Sequence, residues 1–160
     1  YSFAALRYNR STKKAGWLVE IRMDAIEQTQ KAATRIAALL RAGDVVGLYG
    51  PMGSGKTTLV KYIARALKTT DTVSSPTFSL AQRYDGTLPL WHLDLYRIEE
   101  ADLYDIGYED YFYPEEAATL IEWPEKAGSL LPETAFTLCL TKDENRTIQI
   151  DPRLLEREQK

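Results

Sequence analysis

A glycine-rich octad in the first half of the chain carries the residue types that bind phosphate. It reads Gly50-Pro51-Met52-Gly53-Ser54-Gly55-Lys56-Thr57 and fits the pattern GxxxxGK[ST] at every fixed position. Glycines let successive backbone N–H groups turn toward one anion, and a helix beginning at Lys56 adds the positive end of its dipole. The octad therefore predicts a phosphate-binding loop whose nucleotide contacts come from Met52, Gly53, Ser54, Gly55, Lys56, Thr57 and Thr58.

Two side chains of this loop offer chemistry of their own. Lys56 supplies an ammonium for the β- and γ-phosphates of a nucleotide, and the Thr57 hydroxyl is a hard oxygen ligand suited to Mg²⁺. Such a pattern arises by chance in roughly one chain of this length in 200. Here a buried-strand pattern precedes it and an amphipathic-helix pattern follows it, as a Walker A motif requires. We therefore expect the chain to bind ATP together with Mg²⁺.

Two apolar runs end in an acid, and both acids are candidates for the metal and the attacking water. The runs are Leu90 to Asp94 and Thr119 to Glu122. Because ligands of open α/β sheets bind at the carboxyl ends of the strands, both carboxylates are expected to face the nucleotide. Asp94 would hold Mg²⁺ directly or through water, and Glu122 is long enough to orient or deprotonate a water. An ordinary surface carboxylate is the alternative for each, and which acid ligates the metal stays open.

The single histidine and the single cysteine are expected to be structural. His92 lies within an apolar run, where a hydrogen-bonding role is favoured over that of a ligand or base. Cys139 also lies in an apolar run, so a buried small hydrophobe is favoured over a catalytic thiol. One cysteine forms no internal disulfide, which favours a cytoplasmic protein.

The net charge and the hydropathy of the chain limit the kinds of partner that we expect. The formal net charge is −3 and the pI is about 5.3. An acidic chain is a poor stand-alone nucleic-acid binder, because neutralising phosphates needs clustered Lys and Arg. Any RNA is therefore expected to be reached through a partner. No apolar run approaches about 18 residues, so no membrane span is expected.

The hydrophobic pattern alternates between short apolar runs and helical spacing. We expect strands over 17–22, 44–49, 78–84, 88–95, 117–122, 134–141 and 147–150. A first helix, capped by Asp24, is expected to run from Ile26 to the Ala42-Gly43 pair, and a second from Lys56 to Leu67. Asp85-Gly86 marks a hairpin.

This order predicts an α/β fold of the P-loop NTPase-like type, with a mostly parallel central sheet, antiparallel hairpin strands and flanking helices. Residues 17–151 are expected to form one P-loop ATPase domain. Residues 1–16 contain basic side chains and no acid, and are interpreted as a flexible extension, with a targeting or RNA-contacting arm as the alternative. Residues 152–160 are interpreted as a charged C-terminal tail.

Four motifs taken together resemble the TsaE (YjeE) family of bacterial ATPases. They are Gly50 to Thr58, Val73-Ser74-Ser75-Pro76-Thr77-Phe78-Ser79-Leu80, His92-Leu93-Asp94-Leu95-Tyr96-Arg97 and Glu122-Trp123-Pro124. Their order and spacing are similar to those of the family over residues 22–150. Pro51 and Met52 depart from the family, which often has Asp and Leu there, but these two positions contribute backbone.

The resemblance implies a role in forming N6-threonylcarbamoyladenosine at position 37 of tRNAs, together with the TsaD transferase and its TsaB partner. It implies a weak ATPase, stimulated by these partners, that resets their complex between turnovers. It places Glu122 in a Walker-B-like position with Asp94 as a second acid, and Ser74 to Phe78 in a loop that senses the γ-phosphate. It also implies contacts of Thr29 with the nucleotide and of Arg146 with its base.

Two other functions stay open from the sequence. A small-molecule P-loop kinase would need an acceptor pocket and an Arg-rich lid, yet residues 71–113 contain only Arg83 and Arg97 as basic side chains. A nucleotide-gated binding module would order the loop at Ser74 to Phe78 on the γ-phosphate without meaningful hydrolysis. GTP specificity is disfavoured because the chain lacks an Asn-Lys-x-Asp motif.

Overall fold

The computed structural model describes residues 19–70, 80–142, 144 and 146–159. The strands within these ranges are β1 (Val19–Arg22), β2 (Val45–Tyr49), β3 (Ala81–Tyr84), β4 (Leu90–Asp94), β5 (Ala118–Glu122), β6 (Phe136–Leu140) and β7 (Thr147–Ile150). The α-helices are α1 (Ile26–Leu39), α2 (Lys56–Ala66), α3 (Glu100–Asp105), α4 (Glu109–Phe112) and α5 (Pro152–Leu155). Two 3₁₀ segments cover Pro124–Leu130 and Glu156–Gln159.

One seven-stranded sheet, in the order β1-β7-β6-β2-β5-β4-β3, organises these elements. Strands β6, β2, β5 and β4 are parallel to their neighbours in this central part of the sheet. The outer pairs β3–β4, β6–β7 and β1–β7 are antiparallel. The predicted α/β architecture is confirmed, with a mostly parallel centre and antiparallel hairpin strands.

The two faces of the sheet bury separate hydrophobic cores. On one face α1 and α2 pack through residues such as Ile36 and Ile63 against Leu120 of β5. On the other face α3 and α4 contribute Leu103 and Phe112. Strands β2 and β5 are buried along their whole length, because helices cover both faces of the central sheet. No helix within the described ranges is long and apolar enough to cross a membrane.

The first helix begins and ends differently from the prediction. Ala25, not Asp24, is its N-cap, and the side chain of Gln28 accepts a hydrogen bond of 3.1 Å from the Ala25 N–H. Asp24 instead forms an ion pair of 2.9 Å with Arg22, which competes for its carboxylate. The helix ends at Leu39, because Leu40 is already extended, with φ −70° and ψ 143°.

The segment interpreted as a charged tail is packed against the domain. Leu154 and Leu155 of α5 belong to the core that α1 and α2 form. Arg157 donates hydrogen bonds of 2.6 and 3.0 Å to the two carboxylate oxygens of Asp44, the residue before β2. Residues 152–158 therefore extend the folded domain beyond the predicted boundary at 151, whereas the predicted extension 1–16 lies outside the described residues.

Candidate functional site

The glycine-rich octad connects β2 to α2. Gly53 and Gly55 have positive φ angles of 77° and 98°, and Gly55 is the N-cap of the helix. A Cβ built at Gly55 would meet nothing within 4 Å, so the left-handed backbone, not lack of space, favours glycine there. The first N–H groups of a helix have no partner within it. The loop therefore presents backbone donors and a positive dipole end at the start of α2.

A cavity of about 350 Å³ lies against this loop. Its lining consists of Met52, Gly53, Gly55, Lys56, Thr57, Thr58, Asp94, Tyr96, Glu122, Trp123 and Arg146. Three strand ends meet here, because β2, β5 and β4 are parallel neighbours whose carboxyl ends lie at one edge of the sheet. The structure thus brings Lys56, Thr57, Asp94 and Glu122 to one concave surface.

A second cavity of about 260 Å³ adjoins the first. It shares Gly55, Thr58 and Arg146 with the first cavity, and its own lining includes Thr29 of α1 and Ser54 of the loop. The predicted contacts Thr29 and Arg146 are therefore placed beside the loop: Thr29 lines only the second cavity, whereas Arg146 also lines the cavity that contains Glu122. The predicted γ-phosphate-sensing loop, Ser74 to Phe78, lies outside the described residues.

Lys56 is held inside the loop. Its Nζ donates hydrogen bonds of 2.5 Å to the Gly50 carbonyl and 3.2 Å to the Pro51 carbonyl, and it lies 4.0 Å from the centre of the Trp123 ring. Burial lowers the pKa of Lys56 below its usual value, while the nearby Glu122, Glu125 and Asp94 oppose that shift. The ammonium is thus partly desolvated beside the cavity, which strengthens its attraction for an entering anion.

Glu122 is fixed at both carboxylate oxygens. It is the last residue of β5 and is only 3% exposed. Oε1 accepts a hydrogen bond of 2.8 Å from the Thr57 hydroxyl, and Oε2 lies 2.7 Å from Nε2 of His92. The expectation that His92 makes a structural hydrogen bond is confirmed, but the sequence did not reveal its partner.

Asp94 ends β4 directly opposite Glu122 in the β4–β5 pairing. Its Oδ1 accepts a hydrogen bond of 3.0 Å from the Tyr96 N–H. Among the described residues no group of three or more His, Cys, Asp or Glu side chains is arranged to hold a metal. One hydroxyl with one or two carboxylates instead suits a hard cation such as Mg²⁺, which keeps waters and phosphate oxygens among its ligands.

No contact with the nucleotide was predicted from the sequence for two aromatic side chains at the cavity, Trp123 and Tyr96. Trp123 directly follows Glu122 and has a positive φ of 57°, uncommon for a residue with a side chain. Its ring packs against Tyr96 with centroids 5.0 Å apart. Its position next to the catalytic candidate Glu122 was the sequence signal that could have predicted its place at the cavity. The ring covers one side of Lys56 and shields it from water.

Cys139 of β6 is not a candidate nucleophile. Burial raises the pKa of its thiol to about 11, with Asp151 and Glu125 adding to the shift. Since the thiolate is the reactive form, little of it exists near neutral pH. The raised pKa argues against a catalytic thiol, although Cys139 is half-buried and not fully buried as expected.

Comparison with protein families gives a match over most of the chain. Residues 23–150 match the family model described as "Threonylcarbamoyl adenosine biosynthesis protein TsaE". This range contains the loop, both acids and every other residue that lines the two cavities.

Individual relatives agree with the family match. The tRNA threonylcarbamoyladenosine biosynthesis protein TsaE of Bacillus subtilis (strain 168) is 38% identical over 125 residues, covering 76% of this chain and 78% of that protein. The protein of the same name from Treponema pallidum (strain Nichols) is 38% identical over 127 residues, covering 78% of this chain and 93% of the relative. The crystal structure of Bacillus subtilis YdiB matches with a TM-score of 0.73 at 30% identity, covering 89% of this chain and 93% of that one.

Proposed function

The chain belongs to the TsaE family of threonylcarbamoyl adenosine biosynthesis proteins, and from this premise we propose that it is a weak, Mg²⁺-dependent ATPase. Its relatives are named for tRNA threonylcarbamoyladenosine biosynthesis. In this proposal, ATP binding and hydrolysis support formation of that modified nucleoside at position 37 of tRNA.

One observation carries the proposal: the Thr57 hydroxyl and the Glu122 carboxylate meet at 2.8 Å in the same cavity as Lys56. A phosphate-binding loop alone would bind a nucleotide without reacting. A carboxylate held beside the loop's last hydroxyl adds a group that accepts a proton or orients a water next to the phosphates. This combination favours hydrolysis over binding alone.

In the proposed complex the first cavity binds the phosphates of the nucleotide and the second cavity binds its base. The polyphosphate lies against the backbone N–H groups from Met52 to Thr58, with Lys56 neutralising its charge. The base enters the second cavity, near Thr29 and Arg146. Lys56 would exchange its carbonyl contacts with Gly50 and Pro51 for phosphate oxygens, which are stronger partners for an ammonium.

The donors at the cavity fit Mg²⁺. Thr57 and Glu122, with Asp94 directly or through water, are the residues that would hold the ion, which would neutralise charge on the phosphate oxygens. Glu122 would orient the attacking water and accept its proton. Lys56 would stabilise the charge that develops on the transferred phosphoryl group. The Trp123 and Tyr96 rings would limit the access of bulk water to this side of the cavity.

We propose TsaD- and TsaB-type proteins as the partners, with tRNA reached through their complex. The net charge of −3 supports this indirect contact, because an acidic chain has little electrostatic attraction for RNA. The partners would also account for a weak basal rate, since a catalytic group or a closed conformation that they supply would complete the site.

The test is steady-state release of phosphate from ATP and Mg²⁺, measured with and without purified TsaD and TsaB. We expect slow turnover alone, stimulation by the partners, and no turnover in Lys56→Ala. Turnover that the partners leave unchanged would contradict the proposed role in the modifying assembly. A metabolite that accepts the γ-phosphate at ordinary kinase rates would instead identify a kinase, and partner binding gated by ATP without any hydrolysis would identify a binding module.

A further inference from the structure

We propose that His92 is a positioning residue for Glu122: its imidazole Nε2 holds one carboxylate oxygen, so that the other oxygen faces Thr57 and the phosphate cavity. The inference rests on the proposed ATPase function and deepens it. It adds a residue outside the cavity lining, since His92 lines neither cavity.

The sheet places His92 behind the two acids. Strands β4 and β5 are parallel, with His92 opposite Leu120 and Asp94 opposite Glu122. Side chains alternate between faces along a strand, so His92, Asp94 and Glu122 share one face of the sheet. His92 therefore lies one pleat deeper than the carboxylates, on the face that α2 covers.

The contact between His92 and Glu122 is short and buried. Nε2 lies 2.7 Å from Oε2 of Glu122, and the two side chains are only 1% and 4% exposed. An ionised carboxylate only accepts hydrogen bonds, so Nε2 carries the proton and donates it. Burying a carboxylate without hydrogen-bond donors is strongly unfavourable. His92 and Thr57 together supply the two donors that offset this cost.

The second ring nitrogen indicates that His92 is more than a packing residue. Nδ1 is buried and has no hydrogen-bond partner among the described residues. An unpartnered buried nitrogen is unfavourable, and a leucine at this position would fill the space without that penalty. Within the described part of the chain, His92 makes one favourable polar contact, with Glu122. This contact is the advantage of a histidine over an apolar residue at this position.

His92 differs from Thr57 in what else it touches. The Thr57 hydroxyl is itself expected to bind the metal, so its hold on Glu122 changes when the site is loaded. His92 lines neither cavity, so its hold on Glu122 does not compete with binding of the metal. A glutamate has three rotatable side-chain bonds, and a displacement of about 1 Å at a reacting group reduces rates by roughly a hundredfold. Fixing Oε2 from behind prevents such a displacement.

The kinetic test compares His92→Leu with His92→Gln. We expect kcat to fall about 10- to 100-fold in His92→Leu, in line with the loss of other orienting hydrogen bonds, with the KM for ATP changed less than about threefold. His92→Gln offers an amide N–H near the position of Nε2, and we expect it to recover most of the lost kcat. Thermal denaturation of both variants shows whether they remain folded. A His92→Leu variant that is folded and keeps full kcat would overturn the proposal.

A double-mutant cycle separates positioning from a general structural effect. If His92 acts through Glu122, then adding His92→Leu to Glu122→Ala causes no further loss of single-turnover rate. Full additivity of the two losses would contradict the proposal, because it would mean that His92 affects the rate by another route.

A readout independent of hydrolysis uses the fact that His92 is the only histidine. In ¹⁵N-histidine-labelled protein the imidazole gives one pair of nitrogen signals. We expect a protonated Nε2 whose signals shift in Glu122→Ala, and stay unchanged in the surface variant Glu133→Ala. Imidazole nitrogen shifts that are the same in wild type and in Glu122→Ala would overturn the proposal. A wild-type protein that lacks hydrolysis would overturn the proposed function, while this measurement would still decide whether His92 holds Glu122.

Discussion

The Thr57 hydroxyl donates a hydrogen bond of 2.8 Å to Glu122 Oε1 across 65 positions of sequence. Thr57 lies in the first turn of α2 and Glu122 ends β5, so the contact joins the phosphate-binding loop to the neighbouring strand end. The pairing of β2 with β5 makes this possible, because it puts the strand that leads into the loop beside the strand that delivers the acid.

The first prediction separates binding from turnover at this contact. Replacing Glu122 with alanine removes the group that orients the attacking water but leaves Lys56 and the loop backbone in place. We expect phosphate release to fall by roughly 100-fold or more, the range of a lost general base, while ATP affinity measured by calorimetry stays within about threefold.

The matched control for Glu122 is Glu133→Ala, an exposed acid outside both cavity linings. It should leave both affinity and turnover unchanged. Hydrolysis retained in Glu122→Ala would remove this residue from its catalytic role.

A second prediction concerns the left-handed conformation of Gly55. Alanine there would be strained by about 1–2 kcal/mol although no atom clashes with it. Because Gly55 caps α2, the strain also turns the loop's N–H groups away from the phosphates. We expect weaker ATP binding together with a lower Tm.

Gly107→Ala provides the control for Gly55, since Gly107 has a φ of 67°, an equally open surrounding and no part in the loop. It should lower the Tm to a similar extent without changing ATP affinity. Equal loss of affinity in both variants would mean that the loop conformation does not matter for binding.

A third prediction tests whether residues 152–158 belong to the folded domain. Leu154 is fully buried in the core beneath α1 and α2. Truncation to alanine should lower the free energy of unfolding in urea by about 2–5 kcal/mol. The exposed Glu156→Ala should have almost no effect. A cost for Leu154→Ala no larger than for Glu156→Ala would show that this segment is not packed in solution.

A fourth prediction follows from the thiol of Cys139. Its pKa is raised from 9.0 to about 11 in the fold, so the neutral thiol is favoured and stability falls as pH rises through this interval. Alkylation by iodoacetamide should be slow at pH 8 in native protein and fast in urea. As the sole cysteine, Cys139 gives an unambiguous readout, and rapid alkylation of the half-buried thiol in native protein at pH 8 would contradict the raised pKa.

The sequence predicts the loop and both acids because their signals are local. Gly53, Gly55 and Lys56 identify the loop by type and spacing, and Asp94 and Glu122 each terminate an apolar run. The carboxyl ends of parallel strands share one edge of a sheet, so even the proximity of the acids follows from the fold class.

The features that the sequence did not reveal depend on strand order and on short segments. That His92 reaches Glu122 requires β4 to pair with β5 in one register, which no local pattern encodes. Leu154 and Leu155 are too few to show a helical period, so their burial was missed. The N-cap of α1 is Ala25 and not the predicted Asp24, because Arg22 competes for the carboxylate of Asp24.

The central claim is that the loop binds the phosphates of ATP, and calorimetric titration of the protein with ATP and Mg²⁺ tests it most directly. We expect saturable one-site binding, a loss of about 10- to 100-fold in affinity for Lys56→Ala, as for the removal of a charged hydrogen bond, and no change for Lys61→Ala on the exposed face of the same helix. Absence of binding in the wild-type protein, or equal affinity in wild type and Lys56→Ala, would contradict the account.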